Sequence, residues 1–186
     1  MNETIKSIMQ RVSVRKYTAD AVKPEDQKAI LDAGLAAPSA ANRQPWKFLV
    51  YGDKAGILEM EKHLVDKAMD GGDEAAIQRL RERDYKIFFD APMLVFVVSK
   101  LDGHFDMMDC GIAIQNMVIA AQSLGYGSII LGGARAAFLG DQKRHFEQLL
   151  DFPEGYSFAA GVAIGVADTA ALKPPHELDQ SKISYL

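Results

Sequence analysis

Seven consecutive residues, Met93-Leu94-Val95-Phe96-Val97-Val98-Ser99, restrict the fold of this chain more than any other stretch. They show no alternation of apolar and polar positions, so they predict a strand buried on both faces. A sheet that holds such a strand has a layer of structure on each side. The run is also far shorter than the roughly 20 residues a helix needs to cross a bilayer. A second stretch, residues 107 to 124, is apolar nearly all round a helical wheel and predicts a central helix covered on every side. In a chain of only 186 residues that coverage calls for a partner subunit over part of the helix. No linker-like stretch, internal repeat or low-complexity tract divides the sequence, so residues 1–186 are read as one domain.

The other elements follow from periodicity and punctuation. Ile5, Ile8, Met9 and Val12 recur at helical spacing, placing a first helix from about Glu3 that hands over to an extended Arg11–Arg15 segment. A second helix starts at Pro24, with Glu25 and Asp26 in its first turn, and stops before Pro38. Residues 47–51 form a strand closed by Gly52-Asp53, and residues 54–68 a helix broken by Gly71-Gly72-Asp73. The stretch 73–89 carries Arg79, Arg81, Glu82, Arg83, Asp84 and Lys86 and reads either as a helix with a solvated face or as a mobile lid. A short strand at 128–131 ends at Gly132-Gly133, residues 135–150 fit an amphipathic helix, and 158–166 is the last long strand. Lys173-Pro174-Pro175-His176 opens a tail unsuited to regular structure and free to reach a neighbouring chain.

Charge and cysteine content narrow the function classes. The formal net charge is −4, so there is no global basic field of the kind that nucleic acid or an anionic membrane attracts, although a local basic pocket remains open. The start, Met1-Asn2-Glu3-Thr4-Ile5-Lys6, is charged and lacks the apolar run of a signal peptide, which places the protein in the cytoplasm. A lone cysteine, Cys110, excludes an internal disulfide; inside an apolar helix it reads as an inert core thiol, with Met107, Met108 and Met117 as core fillers. His63, His104, His145 and His176 have no metal-ligand spacing, and no metal is expected. There is no G-x-S-x-G elbow and no P-loop, and Gly125-Tyr126-Gly127 lacks the third glycine of a dinucleotide fingerprint.

Three short segments carry chemistry. In an extended Arg11-Val12-Ser13-Val14-Arg15, the side chains of Arg11, Ser13 and Arg15 share one face, and two guanidinium forks with a hydroxyl suit a phosphate dianion. A solvated strand end would carry the same residues. Pro38-Ser39-Ala40-Ala41-Asn42-Arg43-Gln44-Pro45-Trp46 offers small side chains beside amides, which lets backbone approach a flat ring while Asn42 and Gln44 meet heteroatoms at its edge; it is equally a turn before a strand. Ile130-Leu131-Gly132-Gly133 is a strand end with a glycine turn whose backbone can be approached closely.

In their order and spacing these segments, with the strand after Ala91-Pro92, the helix from Asp109-Cys110-Gly111 to Leu124-Gly125, and the basic proline-bearing tail, resemble the nitroreductase family of FMN-dependent NAD(P)H oxidoreductases. The resemblance covers nearly the whole chain. It implies an α+β, three-layer fold with a central, mainly antiparallel sheet flanked by helices, in a homodimer whose C-terminal tail wraps the partner and whose interface pockets hold FMN. It implies that Arg11 and Ser13 meet the FMN phosphate, and that Arg15 meets the phosphate, the ribityl chain or the pyrimidine carbonyl. Pro38, Ser39, Ala40 and Asn42 would contact the flavin held by the other subunit, with Gln44 and Trp46 bracing the loop. Main-chain groups of Ile130, Leu131, Gly132 and Gly133 would face the flavin N5 edge, and Lys173 and His176 the phosphate. His176 stands where the family more usually has arginine, which would make FMN affinity pH-dependent. The implied reaction is ping-pong hydride transfer from NADH or NADPH to a nitroaromatic, quinone or similar small oxidant, with no catalytic acid or base named. A specialised relative that breaks down flavin or dehalogenates reductively, or a non-catalytic flavin carrier, would share the same FMN residues.

Overall fold

The computed structural model describes residues 1–185. Four strands, β1 (Trp46–Tyr51), β2 (Met93–Ser99), β3 (Gly127–Ile130) and β4 (Ser157–Gly165), form one sheet in the order β1-β2-β4-β3, every neighbouring pair antiparallel. All seven residues of β2 are buried, as its unbroken apolar run requires. Its side chains divide by parity between two cores. Met93, Val95 and Val97 meet α2 (Pro24–Leu35) and α5 (Asp106–Ser123) through Ile30, Ile114 and Met117. Leu94 and Phe96 meet α3 (Lys54–Asp70) and α6 (Lys143–Leu149) through Met60, Leu64 and Phe146. Helices therefore cover both faces of the sheet, giving the expected three layers.

Several sequence expectations change on folding. The helix α1 (Glu3–Gln10) forms, with Asn2 as its N-cap, but Ile5, Ile8 and Met9 are 43–49% exposed. The helix placed over 73–89 is only α4 (Glu74–Arg81): the left-handed backbone of Asp84 and Tyr85 ends any continuation, and Phe88 and Phe89 turn into the core. Residues 135–150 are not one helix. A 3-10 stretch, Gly132–Phe138, is separated from α6 by Gly140 at φ +81°. On α5, Met117 is fully buried, whereas Met107 and Met108 are exposed, so the chain alone leaves one face of this helix open. Among the described residues no helix is long and apolar enough to cross a membrane.

Candidate active site

The Arg11–Arg15 triplet is held by backbone. Arg11 is the C-cap of α1, its N–H donating to Ser7 O, and its extended φ/ψ (−62°, 126°) launches the next segment. Ser13 forms a parallel bridge with Ser128 on the outer edge of β3, where Val14 N–H donates to Ser128 O at 3.0 Å. Val14 is buried against Gly127 so closely that a Cβ on that glycine would lie 2.6 Å from Val14 Cγ2. Beyond Arg15, Tyr17 bridges Ala167, Thr18 N–H donates to Val166 O, and Lys16 pairs with Asp168 at 3.1 Å. The Tyr17 hydroxyl lies 3.1 Å from Val14 O and 3.3 Å from Ala163 O, and burial drives its pKa well above the usual phenol range, so it remains a donor. The segment is thus fastened to β3 and to the end of β4, and Arg15 projects from it.

Arg15 lines a cleft of about 450 Å³ together with Ile130, Leu131, Gly132 and Gly133. The floor is apolar, built from Leu64, Leu80, Ile129 and Leu131. Neither Gly132 nor Gly133 has a left-handed φ, and a Cβ at either position meets nothing within 4 Å. Neither backbone strain nor packing within the chain therefore asks for glycine here; the open space lies in front of the main chain, as a flat ring would need. The rim carries five cations, Arg15, Lys67, Arg79, Arg83 and Lys86, and among the described residues no carboxylate lines it. Desolvation, then the nearby Arg15 and Arg79 charges, push the Arg83 pKa down.

The other expected residues are distributed around this cleft. Arg11 and Ser13 are half-buried and line none of the clefts described here. Ser128, across the bridge from Ser13, is buried with its Oγ unpartnered, a polar group that a ligand's hydrogen bond would satisfy. Lys173 lines an adjoining cleft of about 540 Å³ that shares Arg15, Arg83, Lys86 and Phe89 with the first. His176 is exposed and lines neither.

Pro38–Trp46 is a built loop rather than a simple turn. Ala41, Asn42 and Gln44 hold left-handed backbone, Gln44 N–H donates to Ser39 Oγ at 2.9 Å, and Gln44 Nε2 donates to Asn42 Oδ1 at 2.9 Å. Gln44 therefore braces the loop. Trp46 is 7% exposed and stacks on Phe48, anchoring the loop's far end in the core. Ala40 N–H donates to the buried Asp109 carboxylate at 3.1 Å, tying the near end to α5. Pro38, Ser39 and Ala40 line an apolar recess of about 260 Å³ with Phe105, Met108 and Ile112; it shares no lining residue with the Arg15 cleft. Within one chain, then, the structure brings Arg15 together with Ile130–Gly133 and keeps the amide loop apart.

A model described as the nitroreductase family matches residues 8–166. The chain belongs to the nitroreductase family. It is 31% identical over 165 residues, 89% of this chain and 86% of the relative, to a putative NADH dehydrogenase/NAD(P)H nitroreductase of Archaeoglobus fulgidus. It is 30% identical over 200 aligned positions, covering all of this chain and 76% of the relative, to an FMN reductase [NAD(P)H] of Bacillus subtilis. Among solved structures, a nitroreductase with bound FMN from Desulfitobacterium hafniense superposes with a TM-score of 0.94 at 36% identity, over 100% of this chain and 99% of that one.

One feature of this nitroreductase was hidden in its sequence, and one was legible there. Arg79 and Arg83 read as part of a solvated helix face, yet both line the cleft; their i, i+4 spacing around the buried Leu80 was the available signal. Cys110 is 1% exposed, and burial, with Asp106 and Asp109 nearby, pushes its thiol up to about 12, consistent with an unreactive core residue.

Proposed function

We propose that this nitroreductase is an FMN-dependent NAD(P)H oxidoreductase, one domain over residues 1–186. It works as a cytoplasmic homodimer and passes electrons by a ping-pong cycle to a nitroaromatic, quinone or similar small oxidant. The observation that carries the reading is the cleft in which a fixed guanidinium, an apolar floor and open glycine backbone converge. When bound, FMN would supply the redox chemistry that links NADH or NADPH to the oxidant. Arg15 would hold a positive charge beside the flavin and favour its reduced, more negative form. Ile130–Gly133 presents main chain to the ring, the floor residues exclude water from one side, and Arg11, Ser13, Lys173 and His176 serve the phosphate. No side chain is assigned as acid or base. Two-electron reduction of a nitro group consumes one NAD(P)H and one proton and yields the nitroso compound, NAD(P)⁺ and water, with the proton drawn from solvent.

The homodimer completes the site. Pro38, Ser39, Ala40 and Asn42 line no part of their own Arg15 cleft, which supports their serving the flavin of the other subunit. Exposed Ile5, Ile8 and Met9 on α1, with Phe105, Met107 and Met108 at α5, offer an apolar face of the kind an obligate interface buries. Every described residue from Thr169 onward is exposed, including Leu172, Leu178, Ile183 and Tyr185, which suits a tail that wraps a partner.

Purified protein should be yellow, sediment at twice its 20.4 kDa chain mass, and be bleached anaerobically by NADH or NADPH in stopped flow. A colourless preparation that added FMN does not restore, or a flavin that neither nicotinamide reduces, would refute the assignment.

A further inference from the structure

We propose that the oxidant taken by the Arg15 cleft is an anionic aromatic compound, a ring bearing a carboxylate or sulfonate, and that Arg79 and Arg83 are the residues that recognise its charge. This rests on the flavin reading above, because it assigns Arg15 to the cofactor and leaves the other cations for a second ligand.

The cations on the rim are not equivalent. Lys86 is spoken for by Glu61 at 3.7 Å and Asp90 at 2.8 Å. Lys67 Nζ donates to Ala136 O at 2.9 Å and Leu139 O at 2.8 Å, which ties α3 to the stretch after Gly133. Arg79 and Arg83, unlike Lys86, have no carboxylate within 4 Å among the described residues. The acids of this segment are turned elsewhere: Glu74 lines neither cleft, and Glu82 and Asp84 line the adjoining one. So a chain with more acids than bases keeps every acid out of this recess.

Local structure fixes where the two forks point. Asp73 caps α4 through the N–H groups of Ala75 and Ala76, and Ile77 and Leu80 are buried beneath it. Arg79 lies in the last turn of α4 and Arg83 in the tight turn just past its end, where Arg83 N–H donates to Leu80 O at 3.0 Å, and both line the cleft. Crowding three guanidinium groups around an apolar floor costs stability in the empty site, since like charges repel and Arg83 is partly desolvated. A planar carboxylate relieves that cost by accepting bidentate hydrogen bonds from the two forks. A neutral oxidant leaves the repulsion in place. The same two forks could otherwise serve the cofactor phosphate or the phosphates of the nicotinamide donor, and each of those alternatives predicts a different pattern.

The test compares 4-nitrobenzoate with its methyl ester on the FMN-loaded dimer, in wild type, Arg79→Gln, Arg83→Gln and the double variant. Wild type should prefer the acid by about 10–100-fold in kcat/KM, the range expected for one charge-assisted recognition. That preference should shrink as salt is raised. In the double variant the loss should fall on the acid at least tenfold more heavily than on the ester and appear mainly in KM. Equal turnover of acid and ester by wild type, or equal loss of both in the variants, overturns the proposal. So does loss of FMN from the double variant, which would give the forks to the cofactor, or a matching rise in the KM for NADH or NADPH, which would give them to the donor. Calorimetric titration with benzoate against benzamide reads the same recognition without turnover. Benzoate binding that the double variant abolishes supports the anionic site even if neither nitro compound is reduced, an outcome that would fault the oxidoreductase reading alone. No preference for benzoate over benzamide refutes the site.

Discussion

Gly127→Ala probes the contact that aims Arg15. An alanine Cβ there would lie 2.6 Å from Val14 Cγ2, closer than real Cβ atoms approach, with Val14 Cβ at 3.0 Å and Ala167 Cβ at 3.1 Å as further tight contacts. The glycine has no left-handed φ, so the backbone accepts alanine and only the clash counts. Overpacking of this kind costs ~1–3 kcal/mol. Reduced freedom of the unfolded chain returns ~0.4–1 kcal/mol. The expected net loss is therefore about 1–2 kcal/mol, or roughly 2–8 °C in Tm for a domain of this size. Val14→Ala alone removes two buried methyl groups and costs about 1.5–2 kcal/mol. In the double variant the 2.6 Å contact no longer exists, so the combined loss should fall short of the sum by about 1–2 kcal/mol. Urea unfolding followed by circular dichroism, at fixed protein concentration and saturating FMN, measures the cycle. FMN dissociation should speed up in Gly127→Ala and recover in the double variant. Additivity within about 0.5 kcal/mol, or unchanged FMN release, would refute the claim that this contact positions Arg15.

Two further perturbations test the surroundings of the cleft. Glu61 Oε1 accepts the N–H groups of Ile87 at 2.6 Å and Phe88 at 3.0 Å, so Glu61→Ala leaves two donors unpaired at ~1–3 kcal/mol each. Limited trypsinolysis after Arg83 or Lys86 should accelerate at least tenfold, with Glu61→Gln intermediate; identical cleavage rates in wild type and variants would contradict this role. The Cys110 thiol, raised from 9.0 to about 12, carries about 1000-fold less thiolate at neutral pH than an exposed cysteine. Native protein should therefore resist maleimide for hours and react in seconds once unfolded, and rapid labelling of the native protein would disprove the burial.

The sheet and its two cores were legible because β2 and α5 are patterned by burial, which leaves a direct mark on residue choice. Arg15 and Ile130–Gly133 were singled out by residue type and spacing, and the fold sets them along one cleft. What stayed hidden depends on tertiary contacts. Phe88 and Phe89 lie within a charged stretch that reads as helix, and only Glu61, distant in sequence, receives their turn. Gly140 and the short 3-10 stretch split an amphipathic pattern that looked continuous. Ile5, Ile8 and Met9 have the periodicity of a core-facing helix, yet the fold leaves all three exposed on α1. Arg79 and Arg83 were hidden because a solvated face and a cationic recess have the same sequence signature until a floor is placed beneath them.

The burial of β2 also has a cost during synthesis. Its hydrogen-bonding partner β4 begins only at residue 157, so at ~5–20 residues per second the strand waits about 3–12 s after Ser99 is polymerised. Throughout that interval a seven-residue run of high β-propensity and no charge has one edge open to any passing chain. Nascent polypeptides on crowded polysomes are then at greater risk of aggregating than the finished enzyme. Expression yield should accordingly respond to translation speed and chaperone supply more sharply than the melting temperature would suggest.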